Sequence, residues 1–374
     1  MDVTDFEPRY ERVRAEMAAE GIDALVVSGS EYTGFDGAVA YMSGFQIVHR
    51  YAYVLVPLDG EPAIVFPSEA RYVGYHDDAW MGERVFADIP GEWLRERVRG
   101  VRRVGVYGLD YVMNVHDYRA LSAGEFEVVS FDEAFDRARA VKSDQELESV
   151  REAVRINEEG FWEVLRAYAP GKTEAEIMAP AAARFVELGT GRHAMNMVLA
   201  HGPPGGARPE FVIPSETRRV MPHDLLLYSL EIGGPSGHWA EVSRPIMAGE
   251  PSAATAAMLE AYVEYHELAR ATMKDGATAH DVHVAVSAPF NDRGYGLGHV
   301  TGHSIGMTMI EHPRIGAGNE ALLRENMVFS MHPHVIAADG SCLYMQETWR
   351  IGRDGGEQLS DLPVRIFDGS EQSG

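Results

Sequence analysis

A capping-box spacing at Ser143-Asp-Gln-Glu146 opens a long helical segment and divides the 374-residue chain into two differently patterned parts. Ahead of it, Tyr10, Val13 and Met17 recur at helical spacing within residues 8–20, and Gly21 stops that helix. Residues 22–28 read as a buried strand. Residues 51–57 and 63–66 form a hairpin around Asp59-Gly60, and helical residues 92–98 lead to a strand at 103–107 and a helix at 115–121. This alternation describes an α/β domain. Behind the boundary, Leu147, Val150, Val154, Phe161, Val164 and Leu165 line one helix, and Thr173 with Glu176 caps a second. A third helix covers about 253–273, and Thr278 with Asp281 opens a fourth. Strands at about 195–201, 225–232, 238–246, 327–336 and 343–352 separate and follow these helices, which predicts an α+β domain. The expected domains are residues 1–138 and 139–374, and the length itself exceeds what one core usually holds.

A formal charge of −24 excludes nucleic acid and anionic membrane as natural partners, because phosphate binding requires a dense basic surface. No apolar run approaches the roughly 18 residues a membrane span needs. The opening Met1-Asp-Val-Thr-Asp-Phe-Glu7 has neither the basic nor the apolar region of a signal peptide, so a cytoplasmic protein is expected. Cys342 is the single cysteine, which rules out an internal disulfide and suits a reducing compartment. Gly202-Pro-Pro-Gly-Gly206 lacks the Lys-Ser/Thr of a phosphate loop and reads as a turn.

Chemistry concentrates in the second part. Glu231 and Glu241 lie in two apolar-rich strands joined by a Gly/Pro/Ser turn. With that turn centred near Ser236, the two carboxylates face each other across a hairpin with Cβ atoms about 5 Å apart. Such a pair shares a proton or is bridged by a cation. The alternative is a pair of exposed strand carboxylates answered by Arg244. Trp239 and Val242 argue for burial, and buried carboxylates need partners. Histidines are available downstream. His299 and His303 sit in a glycine-rich segment, Gly298-His-Val-Thr-Gly-His-Ser-Ile-Gly306, while His332 and His334 alternate onto one strand face around Pro333. Gln346 and Glu347 follow on a last strand. Two carboxylates and two imidazoles suit Zn, Mn or Fe, so Glu231, Glu241, His303 and His332 form the candidate metal set. Without metal the same groups still supply a nucleophile, a base and an acid.

Several ordered motifs resemble the pita-bread family of creatinase, prolidase and aminopeptidase P. Glu11-Arg-Val-Arg-Ala-Glu-Met-Ala-Ala-Glu-Gly-Ile-Asp-Ala-Leu-Val-Val-Ser28 is similar to the start of its N-terminal domain, and Val141-Lys-Ser-Asp-Gln-Glu-Leu-Glu148 to the start of its catalytic domain. Gly302-His-Ser-Ile-Gly306, Glu311-His-Pro-Arg-Ile315 and Met327-Val-Phe-Ser-Met-His-Pro333 resemble its last motifs. The resemblance implies a pita-bread catalytic domain of α+β class, preceded by a smaller α/β creatinase/prolidase-type N-terminal domain. It also implies a homodimer in which the partner's N-terminal domain approaches the cleft, with His49 and Arg50 as candidates for that reach.

Metallopeptidases of the family take their ligands from two hairpin aspartates, one histidine and two glutamates. Here Glu231 and Glu241 fall near the aspartates and His303 matches the histidine. His332 and Gln346 stand where the glutamates are expected, and Ile310 replaces a substrate-handling histidine. Losing two anionic ligands weakens a cluster held by bridging carboxylates. On that ground the chain is expected to be a creatinase-like enzyme outside the peptidases, cleaving a C–N bond of a small polar carboxylate-bearing metabolite by hydrolysis or elimination. Its cofactor is then either none or a divalent transition metal. The alternatives are a metal-dependent Xaa-Pro aminopeptidase or dipeptidase and a catalytically silent protein-binding domain. Expected catalytic residues are Glu241, His303, His332 and Glu347, and expected substrate contacts are His299, Arg314, Arg350 and His49.

Overall fold

A computed structural model describes residues 6–190, 195–202, 210–298 and 300–371. His299, the proline-rich part of the turn after Gly202 and the last three residues of the C-terminal tail lie outside the described residues. The chain forms two compact units, residues 1–140 and 141–374.

The first unit is built on a six-stranded sheet: β1 (Ala24–Ser30), β2 (Tyr51–Pro57), β3 (Ala63–Pro67), β4 (Glu83–Ala87), β5 (Arg103–Tyr107) and β6 (Glu127–Ser130). The strand order is β4-β3-β2-β1-β5-β6, with β2 antiparallel to both β1 and β3 and the other neighbouring pairs parallel. Strand β1 is buried along its whole length, as a continuous apolar run between covered faces requires. Among the described residues, five α-helices accompany the sheet: α1 (Glu7–Glu20), α2 (Gly37–Ser43), α3 (Pro90–Arg97), α4 (Val115–Leu121) and α5 (Asp132–Ala140). Gly21 closes α1 in the left-handed conformation (φ 68°). Strands β4 and β6 and helices α2 and α5 were not among the expected elements.

The second unit carries two helix pairs. Helix α6 (Asp144–Ala167) packs on α7 (Glu174–Glu187), and α8 (Ala253–Thr272) packs on α9 (Ala279–Asn291). Complete capping boxes start α6 at Ser143/Glu146 and α7 at Thr173/Glu176. Strands β7 (Met195–Gly202), β8 (Leu225–Gly233), β9 (Trp239–Glu241) and β10 (Ile246–Met247) form one sheet around β8. Further along lie β11 (Gly296–Leu297), β12 (Gly302–Ser304), β13 (Glu311–Ile315), β14 (Val328–Met331), β15 (His334–Ile336), β16 (Cys342–Tyr344), β17 (Glu347–Ile351), β18 (Gly356–Gln358) and β19 (Phe367–Asp368). A second sheet runs β13-β12-β14-β17-β18, a third runs β11-β15-β16, and β19 joins β10 at the edge of the first. Two strands expected as continuous are broken. The segment 238–246 splits where Arg244 turns inward ahead of Pro245, and 327–336 splits at His332-Pro333, where proline cannot donate to a ladder.

Helix α6 fixes the hairpin that bears the glutamates. Buried Asn157 donates from Nδ2 to the carbonyls of Leu230 (2.9 Å) and Ala240 (3.0 Å), one on each strand. One turn away, Gly160 lets Phe185 of α7 approach so closely that a Cβ added there would lie 2.1 Å from the ring. Gly160→Ala is therefore expected to destabilise the protein by about 1–2 kcal/mol despite alanine's better helix propensity, because Phe185 is fully buried and has no room to retreat. Urea denaturation of parent and variant measures the difference.

Candidate active site

The β8–β9 register places Glu231 directly opposite Glu241, with Gly233 opposite Trp239 and the turn between them. Glu241 is 1% exposed and Glu231 is half-buried. The hairpin is tied to the second sheet through β17: Ser243 bridges Gln346, and the Thr348 hydroxyl accepts from the Glu241 amide and donates to its carbonyl, 3.0 Å each. Strand β12 sets His303 against Ser330 of β14, and His332 follows two residues later on the same face. These elements enclose a cavity of about 340 Å³ whose polar wall includes Asn196, Glu231, Glu241, His303, Arg314 and His332.

Within this wall, ligand atoms of Glu241, His303 and His332 all lie within 4.8 Å of one another. His303 Nε2 is 3.6 Å from Glu241 Oε1, and His332 Nε2 is 4.0 Å from Glu241 Oε2. His303 Nδ1 lies 3.0 Å from the Ser304 carbonyl, which can only accept, so the ring proton sits on Nδ1 and the Nε2 lone pair faces Glu241. Burial, then the charge of Glu231, pushes the Glu241 carboxyl well above the ordinary glutamate range, with Ser330 and Gln346 opposing. Burial also raises Glu231, opposed by hydrogen bonds from Ser229, Asn196 and Gln346. A buried carboxylate beside two imidazoles attracts a cation, since a cation removes both penalties.

Other expected site residues fall elsewhere. Glu347 does not line the cavity. It points to the far side of β17, where fully buried Arg244 pairs with it and Ser360 donates to Oε2 at 2.6 Å. Arg244 thus answers Glu347 rather than the hairpin glutamates. Arg350 is likewise engaged away from the cavity, with Glu357 (2.7 Å) and Asn326 (2.9 Å). Arg314 does line the cavity, as does Ile310. His49 belongs to the first unit, where its Nδ1 lies 3.3 Å from Glu31 and its ring meets Tyr32 and Tyr72.

Three hydrogen-bond donors to the glutamates went unremarked in the sequence. Asn196 pairs with Glu231 in the β7–β8 register and donates to Oε2 at 2.7 Å, Ser229 donates to Oε1 at 2.6 Å, and Ser330 donates to Glu241. Two-residue alternation signalled two of them, since Ser229 precedes Glu231 by two and Ser330 precedes His332 by two.

Residues 148–362 match metallopeptidase family M24, and residues 9–141 match the creatinase/prolidase N-terminal domain. The chain belongs to metallopeptidase family M24. An Xaa-Pro dipeptidase of Pyrococcus furiosus is 23% identical over 312 residues, covering 82% of this chain and 86% of its own length. A probable dipeptidase PepE of Mycobacterium bovis is 25% identical over 375 residues, or 98% and 97% of the two lengths. The solved prolidase of Pyrococcus horikoshii superposes with a TM-score of 0.81 at 20% identity, over 96% of this chain and 99% of that one. The fold is accordingly a pita-bread domain preceded by a creatinase/prolidase-type N-terminal domain.

The names of these M24 relatives overturn the expectation of a creatinase-like enzyme outside the peptidases, and they favour the peptidase alternative. They also support an enzyme, and specifically a hydrolase. Loss of anionic ligands does not by itself entail loss of peptidase chemistry. The surviving donors fit a divalent cation: two imidazoles and one carboxylate form a donor set of catalytic zinc sites that keep a further position open.

Proposed function

We propose that the chain is a metal-dependent Xaa-Pro dipeptidase or aminopeptidase. The observation that carries this reading is the convergence of Glu241, His303 and His332 on one cavity of an M24 domain. A volume of about 340 Å³ lies at the small end of ligand pockets and suits a dipeptide or the first residues of a peptide. Glu241, His303 and His332 would hold the metal, which when bound acidifies a water and polarises a carbonyl. The chain's own groups supply the rest. Arg314 on the cavity wall offers a fork for a substrate carboxylate. Val300, Met309 and Ile310 offer an apolar surface for a prolyl ring and exclude water from it. Cytoplasmic placement belongs to the same reading and is supported by the single buried cysteine, Cys342. Among the described residues no helix is long and apolar enough to cross a membrane.

The test is hydrolysis of a panel of Xaa-Pro dipeptides and Xaa-Pro-initiated peptides by chelator-treated enzyme resupplied with Mn(II), Zn(II) or Fe(II). Cleavage that needs the metal and prefers proline over alanine in the second position is expected. No cleavage with any of the three metals would sink the reading.

A further inference from the structure

Between Glu231 and Glu241 stands Gln346, and its orientation is fixed by the backbone. Its Oε1 accepts the Leu230 amide hydrogen at 3.0 Å, so the NH₂ end must face the glutamates. One hydrogen reaches Glu231 Oε1 and the other reaches Glu241 Oε2, at 3.0 Å each. Two amide protons therefore point into the gap that a bridging cation would fill. Turning the amide over would face NH₂ toward the buried Leu230 N–H and leave that donor unsatisfied, at about 1–3 kcal/mol.

The remaining acceptors of the pair divide unequally. Glu231 receives Ser229 and Gln346 on Oε1 and Asn196 on Oε2, so three neutral donors already occupy most of its lone-pair sites. Glu241 receives Ser330 and Gln346 on Oε2 alone, while Oε1 faces the His303 Nε2 lone pair. Donors open to a cation thus gather on the Glu241 side, with His303 and His332 and away from Glu231. Charge agrees with this division. One dication neutralises the two glutamates, whereas a second would leave the site strongly positive in a buried setting.

We infer that the site takes a single divalent cation on Glu241, His303 and His332, and that the Gln346 amide fills the place of a second one and keeps Glu231 out of the coordination sphere. This rests on the metal-dependent reading above. Glu231 then stays on the cavity wall, held by Ser229, Asn196 and Gln346.

The test counts metal rather than turnover. Chelator-treated full-length protein is loaded with Mn(II), dialysed, and measured by elemental analysis and electron paramagnetic resonance. One Mn(II) per chain with the spectrum of an isolated ion is expected, retained in Glu231→Gln and lost in His303→Ala. Gln346→Glu is expected to bind two and to give the spectrum of an exchange-coupled pair. Two ions in the parent, or loss of the ion in Glu231→Gln, would overturn the inference, and both measurements stand even if Gln346→Glu fails to fold. Two ions with Xaa-Pro cleavage sink this inference alone. One ion without cleavage sinks the peptidase reading alone, and no ion at all sinks both.

Discussion

Replacing Glu241 with glutamine is expected to reduce Xaa-Pro dipeptide hydrolysis by about 10³-fold or more while raising the stability of the metal-free protein. The loss follows from position: Glu241 is the carboxylate that meets both imidazoles, and removing one member of a group acting together forfeits most of what the group achieves. The gain follows from burial. The glutamine carbonyl can take the place of Oε2 and accept from Ser330 and Gln346, and its NH₂ then faces the His303 Nε2 lone pair from the place of Oε1. No buried donor or acceptor is stranded. The sign of the pH dependence is fixed by linkage. Glu241 holds its proton above the ordinary value of about 4.5, so from that pH upward the unfolded chain has released a proton that the native chain retains. Native stability therefore falls as pH rises through that window, and the full cost persists above the folded-state pKa. Glutamine has no proton to release. The melting-temperature advantage of the variant should grow from pH 4.5 upward and then level off, when both proteins are melted in chelator. A variant that melts below its parent at pH 8 would show that Glu241 carries no such penalty.

The hairpin register was legible because local signals agreed: apolar runs on both sides of a Gly/Pro/Ser turn leave one register in which the strands stay buried. The helix starts were legible for the same reason, since a capping box is complete within four residues. Glu347 was not legible. Gln346 and Glu347 are neighbours on an extended segment and must face opposite ways, and only the pairing of Ser243 with Gln346 decides which of them meets the hairpin. Arg350 failed similarly, because its partners Asn326 and Glu357 are set by sheet order and not by spacing. The peptidase chemistry was misjudged for a different reason. Fewer anionic ligands do not by themselves decide against a metal, and the spacing of Glu241, His303 and His332 does not reveal that their ligand atoms meet within 4.8 Å of one another.

Removing the Arg244 guanidinium should produce the largest loss of stability of any single change discussed. Arg244 is fully buried, and each of its nitrogens is used: Nε reaches Pro363 O (3.0 Å), Nη1 reaches Ser243 O (3.0 Å) and Gln346 O (2.7 Å), and Nη2 reaches Glu347 and Leu362 O (2.9 Å). Glu347 has no route to water and accepts only from Arg244, Thr348 N (3.0 Å) and Ser360 among the described residues. Arg244→Met fills similar volume but leaves that carboxylate without its cation and takes the guanidinium from the Pro363 carbonyl, while the carbonyls of Ser243, Gln346 and Leu362 keep donors in Gln346 N, Ser243 N and Gln358 Nε2. Breaking a buried pair in this way costs about 3–5 kcal/mol. Adding Glu347→Met should recover part of the loss, because the uncompensated charge disappears even though the Pro363 carbonyl still lacks the arginine donor. Urea denaturation of the parent, both single variants and the double variant closes the cycle. If the double variant is less stable than Arg244→Met, the pair does not carry the penalty. The arginine also reaches the candidate metal centre, since its bond to the Gln346 carbonyl holds the residue whose amide spans Glu231 and Glu241. Arg244→Met should therefore weaken Mn(II) binding as well, and a conservative Arg244→Lys, which keeps the charge but not the fork, should recover stability more fully than it recovers affinity.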